Sequence, residues 1–391
     1  MSNEQQERTV LSGRVVFEDG ILEDGIVVIE GERIAYAGSP LAEYVEGAKC
    51  VKADGYIWPG LIDVHIHGAG GADVMDATPQ AIHNIAETVA QFGVTGFLPT
   101  TVTGDKPQLE KAMANVVAEA PTIADGAEIL GIHLEGPWIC PQRSGAQNPD
   151  HIVDPAPEDA AWAVEKSSHM LRIVTMAPER PGALATIREL AKRGVNVSIG
   201  HTDATYDQVL EAIEAGAAHV THCFNAMSAL HHREPGVVGA ALTEDRLTVE
   251  LIADGYHVHP AAVKLVTTAK GTDGTMLITD GMRAVGMPEG EYDLGGLRVF
   301  SDGETARLEN GALAGSLLTL DAAVRKTTAY SGMPLYKVVH MASLTPAKRL
   351  GVATEMGSIR AGKLANLVVV DEACRVERVF RRGKVIHQRT Q

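Results

Sequence analysis

Between Leu61 and Asp280 the chain alternates eight short apolar, β-branched runs with helical patterns, and this alternation limits the possible folds more than any other feature. The runs are Leu61 to Ile66, Gly96 to Thr101, Ile129 to Leu134, Leu171 to Met176, Asn196 to Gly200, Ala218 to His222, Thr248 to Ala253 and Thr275 to Asp280. Helical patterns lie between them, among others Pro79 to Phe92, Pro107 to Glu119, Ala183 to Arg193, Thr205 to Ala215 and Pro260 to Ala269. Several open on Pro, Asp or Thr and close on Gly93, Gly194 or Gly216, the expected helix punctuation. Eight β-α alternations favour an α/β fold of the (β/α)8 TIM-barrel type over an open doubly wound sheet. No Gly-x-Gly-x-x-Gly follows the early runs, which weakens a dinucleotide-binding reading.

The two ends have a different texture. Val10-Leu11, Gly13 to Val16, Gly25 to Ile29 and Arg33 to Gly38 are short strand-like runs broken by glycines, and Ala365 to Asp371 and Val376 to Ile386 return to the same pattern. Neither end can bury two faces alone. The expectation is one small β-sandwich built from residues 1–58 and 351–391, with residues 59–350 forming the catalytic barrel.

Composition narrows the function. The chain has 391 residues, 45% of them apolar, which supports a large core and more than one domain. Lys+Arg 34 against Asp+Glu 50 gives a net charge of -16, which argues against nucleic acid or an anionic membrane as the main partner. A small anionic substrate needs only a local cation and stays open. Cys50, Cys140, Cys223 and Cys374 are far apart and form no Cys-x-x-Cys pair, as expected of a reduced, cytoplasmic setting. The polar opening, Met1 to Arg8, lacks the apolar core of a signal peptide, and no apolar run approaches the ~20 residues of a membrane span.

Barrel enzymes place their chemistry where strands end. His65 and His67 are two apart at the end of the first run, so they project to the same side. Glu135 follows the third run, His201 the fifth, His222 closes the sixth and Asp280 the eighth. Singly, each is more often a helix cap or a hydrogen-bonded core residue than a ligand. Together, six metal-type side chains on five strand ends would make one mouth costly without a cation to balance them. Imidazoles mixed with carboxylates suit Zn²⁺ or Fe²⁺, whereas Mg²⁺ or Ca²⁺ would want mainly oxygen.

Pro59-Gly60-Leu61-Ile62-Asp63-Val64-His65-Ile66-His67 resembles the opening of the amidohydrolase superfamily. His133 to Trp138, Gly200-His201-Thr202, Thr221 to Met227, His231 to Gly236, Ala253 to Val258, Thr279 to Met282 and Gly357 to Leu367 narrow the resemblance to its N-acetylglucosamine-6-phosphate deacetylases, over nearly the whole chain. The resemblance implies hydrolysis of an N-acetyl group to acetate and an amino-sugar phosphate, with one or two divalent metals per subunit. It further implies Glu135, His201 and His222 as main ligands, His65 and His67 as second-metal ligands, and Asp280 as the acid/base that also faces the metal. Gln147, Asn225, Ala226, Arg233, His257 and Leu313 are implied to bind substrate, Arg233 by reaching across a homodimer interface. Gln147 stands where some members carry a histidine; a neutral amide can still hydrogen-bond but cannot add positive charge.

Three rival readings keep the fold. Cyclic-amide and dipeptide-hydrolysing relatives commonly use a carboxylated lysine after the fourth strand, and Arg172 to Pro178 has no lysine. A non-catalytic scaffold usually loses ligands, and all six are present here. A preference for the galactosamine epimer is not excluded by any motif.

Overall fold

The computed structural model describes residues 8–390; the polar opening stretch, residues 1–7, lies outside the described residues. Its centre is a parallel barrel whose strands we label β1 to β8 in chain order: Leu61–Ile66, Val94–Thr101, Ile132–Glu135, Leu171–Met176, Asn196–Ile199, Ala217–Val220, Thr248–Leu251 and Thr275–Leu277. Each hydrogen-bonds to the next in sequence order, the TIM-barrel arrangement expected from the alternation. The expected third strand is split. Glu128–Ile129 pairs with β2 on its own, and the break falls at Gly131, where φ is +152° and an added Cβ would lie 2.7 Å from the Met170 carbonyl oxygen.

Four strands end earlier than their apolar runs suggested. β5, β6, β7 and β8 stop at Ile199, Val220, Leu251 and Leu277, so His222 and Asp280 lie in loops rather than within strands. After three of them the backbone turns left-handed, at His201, His222 and Asp280, with φ of 47°, 27° and 50°. The barrel closes through these turns. Asp280 N–H donates to the His65 carbonyl at 2.9 Å and His67 N–H to the Gly281 carbonyl at 2.9 Å, stitching the end of β8 to β1 without a regular ladder. Asp63 reinforces the seam by accepting from the Thr279 hydroxyl at 2.6 Å and the His65 amide at 3.2 Å.

The expected helices form at Pro79–Ala90, Lys106–Glu119, Ala183–Lys192, Tyr206–Ala215 and Pro260–Gly274. Thr78, Asp105 and Thr205 accept backbone N–H groups at three of the N-termini, which is why those polar residues precede the apolar periodicity. A three-stranded insert after β8, Gly290–Leu294, Leu297–Ser301 and Ala306–Leu308, buries its own small core of Met282, Leu294, Val299 and Ala314. Sequence patterning gave no sign of it.

Both termini build one seven-stranded sheet. From edge to edge it runs Lys384–Gln388, Val376–Arg381, Leu367–Val370, Lys49–Pro59, Arg8–Val16, Ile21–Glu30 and Arg33–Gly38. It curls over a core of Leu11, Val15, Val27, Ile34, Ile57, Leu367 and Phe380, and Ile34 N–H reaches the Lys363 carbonyl at 2.9 Å to draw the far edge back. Its other side contributes Trp58, Val368 and Val370 to the barrel core. Each such buried side chain is worth about 1.5–3 kcal/mol, enough to dock the sheet firmly on the barrel. No helix among the described residues is long and apolar enough to cross a membrane.

Candidate active site

The carboxyl ends of the barrel strands meet in a cavity of about 280 Å³. His67, Glu135, Gln147, His201, His222, Asn225, Ala226, His257, Asp280 and Leu313 all line it, so ten of the twelve residues expected from the sequence meet in one place, with His65 beneath it and Arg233 outside. Five of the ten non-glycine left-handed residues among those described gather here too: His201, His222, Phe224 (φ 80°), Ala226 (φ 50°) and Asp280. Such conformations cost about 1–3 kcal/mol each and persist only where neighbours over-determine them. Here the neighbours are hydrogen bonds to the strained residues' own backbone. Cys140 N–H donates to the His201 carbonyl at 2.8 Å, Asn225 N–H to that of His222 at 2.9 Å, and Ser316 N–H to that of Asp280 at 2.7 Å. The turns aim the side chains inward.

Two donor groups share Glu135. Its Oε1 lies 3.3 Å from His201 Nε2 and 3.2 Å from His222 Nε2, and those two nitrogens are 3.1 Å apart. Its Oε2 lies 3.3 Å from His67 Nε2, which is 3.1 Å from Asp280 Oδ1 and 3.3 Å from His65 Nε2. Second partners fix the ring tautomers. Carbonyls can only accept, so His67 Nδ1 donates to Thr100 O at 3.2 Å and His201 Nδ1 to Arg143 O at 2.8 Å; His65 Nδ1 meets Glu250 Oε2 at 2.9 Å. With Nδ1 carrying the proton, Nε2 of His65, His67 and His201 presents a lone pair to the cluster, while His222 Nδ1 is buried without a partner. Lone pairs facing one another at these distances, and a buried Glu135 Oε1 with no hydrogen-bond donor, are a donor set that fits a divalent cation. A third cluster, His65 with His133 and Glu250, does not fit one. Both ring nitrogens of His133 are committed, Nδ1 to Val64 O at 2.9 Å and Nε2 to the Thr175 hydroxyl at 2.7 Å.

Electrostatics agree with that assignment. Burial pulls His67 down, but hydrogen bonds to Asp280 and Glu135 outweigh it and raise the ring to about 9. His65 is likewise lifted well above its usual value, against burial, by Glu135, Glu250 and Asp280. Burial would raise Glu135 and Asp280; the surrounding histidines hold both below the ordinary carboxylate range. The acids thus favour positive charge on this cluster, supplied by protons or by a cation. His133 is the contrast: burial and the nearby His65 push it down to about 3, so it stays neutral and structural.

On the cavity wall, Asp254 accepts from His257 Nδ1 at 2.6 Å and from the His257 amide at 2.7 Å, fixing the ring that lines the cavity. Gln147 accepts from Thr103 N–H and donates to Glu135 Oε2, each at 2.6 Å. Leu294, from the inserted sheet, joins Leu313 on the wall. Arg233 is elsewhere. It is exposed, 2.7 Å from His232 Nε2, in a separate cleft of about 640 Å³ with Asp203, His231 and Glu234. Sequence reading overlooked Glu250, Asp254 and Thr103. Glu250 had a signal, a charge inside the apolar run Thr248 to Ala253; Thr103 had none, because its backbone does the work.

The amidohydrolase family model matches residues 56–386. The chain is 42% identical over 330 residues to the N-acetylglucosamine-6-phosphate deacetylase of Vibrio furnissii, covering 84% of this chain and 82% of that one. It is 39% identical over 373 residues to the N-acetylgalactosamine-6-phosphate deacetylase of Escherichia coli O157:H7, covering 95% and 97%. A solved N-acetyl-D-glucosamine-6-phosphate deacetylase from Mycobacterium smegmatis superposes with a TM-score of 0.92 at 34% identity, covering 97% of this chain and all of that one. This chain therefore belongs to the amidohydrolase family, and its relatives along most of its length are amino-sugar-phosphate deacetylases.

Proposed function

We propose that this protein hydrolyses the N-acetyl group of N-acetylglucosamine 6-phosphate, giving acetate and glucosamine 6-phosphate. The observation that carries the reading is Glu135 flanked by His201 and His222 on one oxygen and by His67 on the other, with Asp280 against His67, at the floor of one cavity. Family membership implies a divalent metal, and the mixed nitrogen and oxygen donors suit Zn²⁺ or Fe²⁺, held by Glu135, His201 and His222 with His65, His67 and Asp280 able to take a second. When bound, the metal lowers the pKa of water and polarises the acyl oxygen. Asp280 takes the proton from the attacking water and returns it to the departing nitrogen. The surrounding histidines hold its pKa below the ordinary carboxylate range, which leaves it ionised and able to accept. His257, braced by Asp254, orients the sugar, and Asn225, Ala226 and Leu313 shape the wall against it.

No lysine or arginine lines the cavity among the described residues, although a 6-phosphate needs a cation. This supports a homodimer in which Arg233 of a neighbouring subunit reaches the phosphate, since planar guanidinium can bind two phosphate oxygens at once. Four cysteines free of disulfides fit a cytoplasmic enzyme. The galactosamine epimer is a second reading, favoured by the Escherichia coli relative at nearly the same identity. Acetate release followed by NMR, with both 6-phosphorylated epimers and unphosphorylated N-acetylglucosamine, tests the proposal. Turnover of a phosphorylated epimer well above the free sugar is expected, the faster epimer naming the substrate. No acetate from any of the three would reject it.

A further inference from the structure

Gln147 is buried and locked at both ends, and its contact is with a metal-type ligand rather than with the open part of the cavity. Thr103 N–H can only donate, so the atom it meets at 2.6 Å must be the Gln147 amide oxygen. The amide nitrogen is therefore the end that faces Glu135, and it donates to Oε2 at 2.6 Å. The side chain cannot flip without setting the Thr103 amide against an NH2 group. Gln147 N–H also bonds the Ser144 carbonyl at 2.9 Å, so the loop backbone holds the side chain in reach.

The two oxygens of Glu135 are consequently unequal. Oε1, shared by His201 and His222, has no hydrogen-bond donor among the described residues. Oε2, the oxygen facing His67, already accepts a strong bond. A cation using Oε1 displaces nothing. A cation at the His65, His67 and Asp280 face that also draws on Glu135 beside His67 meets Oε2. There it shares the oxygen with the Gln147 amide or breaks that bond, and the amide's positive hydrogens oppose it electrostatically; His65 Nε2 itself lies 3.5 Å from Oε1.

We propose that Gln147 is a positioning residue that sets the metal stoichiometry of the site, leaving the Glu135–His201–His222 face strong and weakening the His65–His67–Asp280 face by occupying Glu135 Oε2. The inference rests on the metal-centre reading above and adds a function for Gln147. It predicts two unequal binding steps for one cation, and their separation should depend on the Gln147 donor.

The test is titration of the chelator-stripped full-length protein with Zn²⁺ against a chromophoric competing chelator, with bound metal counted by elemental analysis. Gln147→Met keeps the length and removes the donor, while Gln147→Ala opens space for water at Thr103. Native protein should bind in two steps. In either variant the second dissociation constant should fall by about tenfold or more, within the range of outer-partner effects on metal sites, with the first changed less than about threefold. Two equal steps in native protein would overturn the inference without recourse to any variant. So would a second step that is unchanged or weakened in variants whose metal-free melting matches native. Native protein that binds no divalent cation would remove the metal-centre reading itself, a result distinguishable from both.

Discussion

Glu250 Oε2 receives His65 Nδ1 at 2.9 Å, and this one contact decides which nitrogen His65 turns towards Glu135, His67 and Asp280. The carboxylate also touches His219 Nε2 at 3.2 Å and the His222 amide at 3.3 Å, so it braces the floor from β7. Replacing it with glutamine keeps the shape but removes the charge that favours a basic, correctly oriented His65. We expect Glu250→Gln to weaken metal binding at the His65–His67 face by about 10–100-fold. Stepwise metal titration checks this; an unchanged second step would reduce Glu250 to packing.

Asp280→Asn should lower kcat/KM by roughly 10²–10⁴-fold, because the amide cannot accept the water's proton. Folding should be little affected, since Asp280 is held at β8 mainly through its backbone bonds to His65 and Ser316. Steady-state rates with circular dichroism test both halves. Activity within tenfold of native would remove Asp280 from the acid/base role.

The two faces of Glu135 should separate by mutation. His222→Ala removes one of the donors on Oε1 and should abolish tight metal binding, whereas His67→Ala should spare the first equivalent and lose the second. Elemental analysis after gel filtration distinguishes them. Equal metal loss in both variants would mean that the faces are not independent.

The barrel was legible because β1 to β8 are apolar runs at regular spacing, and the site followed from reading polar residues at their ends. What stayed hidden is instructive. The strands stop at Ile199, Val220 and Leu277, and two or three residues on His201, His222 and Asp280 adopt left-handed backbone, a feature their side chains do not announce. Thr103 contributes through an amide that any residue but proline would supply. The insert at Gly290–Leu308 has too few buried positions to show a period. Gln147 was legible as a departure from histidine, but its two bonds depend on a loop meeting β2 and β3, which are distant in sequence.

Arg233→Ala should reduce kcat/KM for the 6-phosphorylated sugar by about 100-fold through loss of a charge-assisted pair, and leave the unphosphorylated sugar nearly unchanged. Because Arg233 lies outside its own chain's cavity, mixing Arg233→Ala with Asp280→Asn should restore part of the activity once subunits exchange. Equal losses on both sugars would make Arg233 structural. No rescue in verified hybrids would count against transfer across the interface.

The central claim is deacetylation at a metal centre built on Glu135, and acetate release before and after metal removal tests it most directly. Purified protein is assayed with N-acetylglucosamine 6-phosphate, stripped with a chelator, then reassayed as measured equivalents of Zn²⁺ or Fe²⁺ are returned. The account predicts that stripping abolishes acetate release and that it returns with the added metal. Native-level release from protein shown by elemental analysis to be metal-free would contradict it.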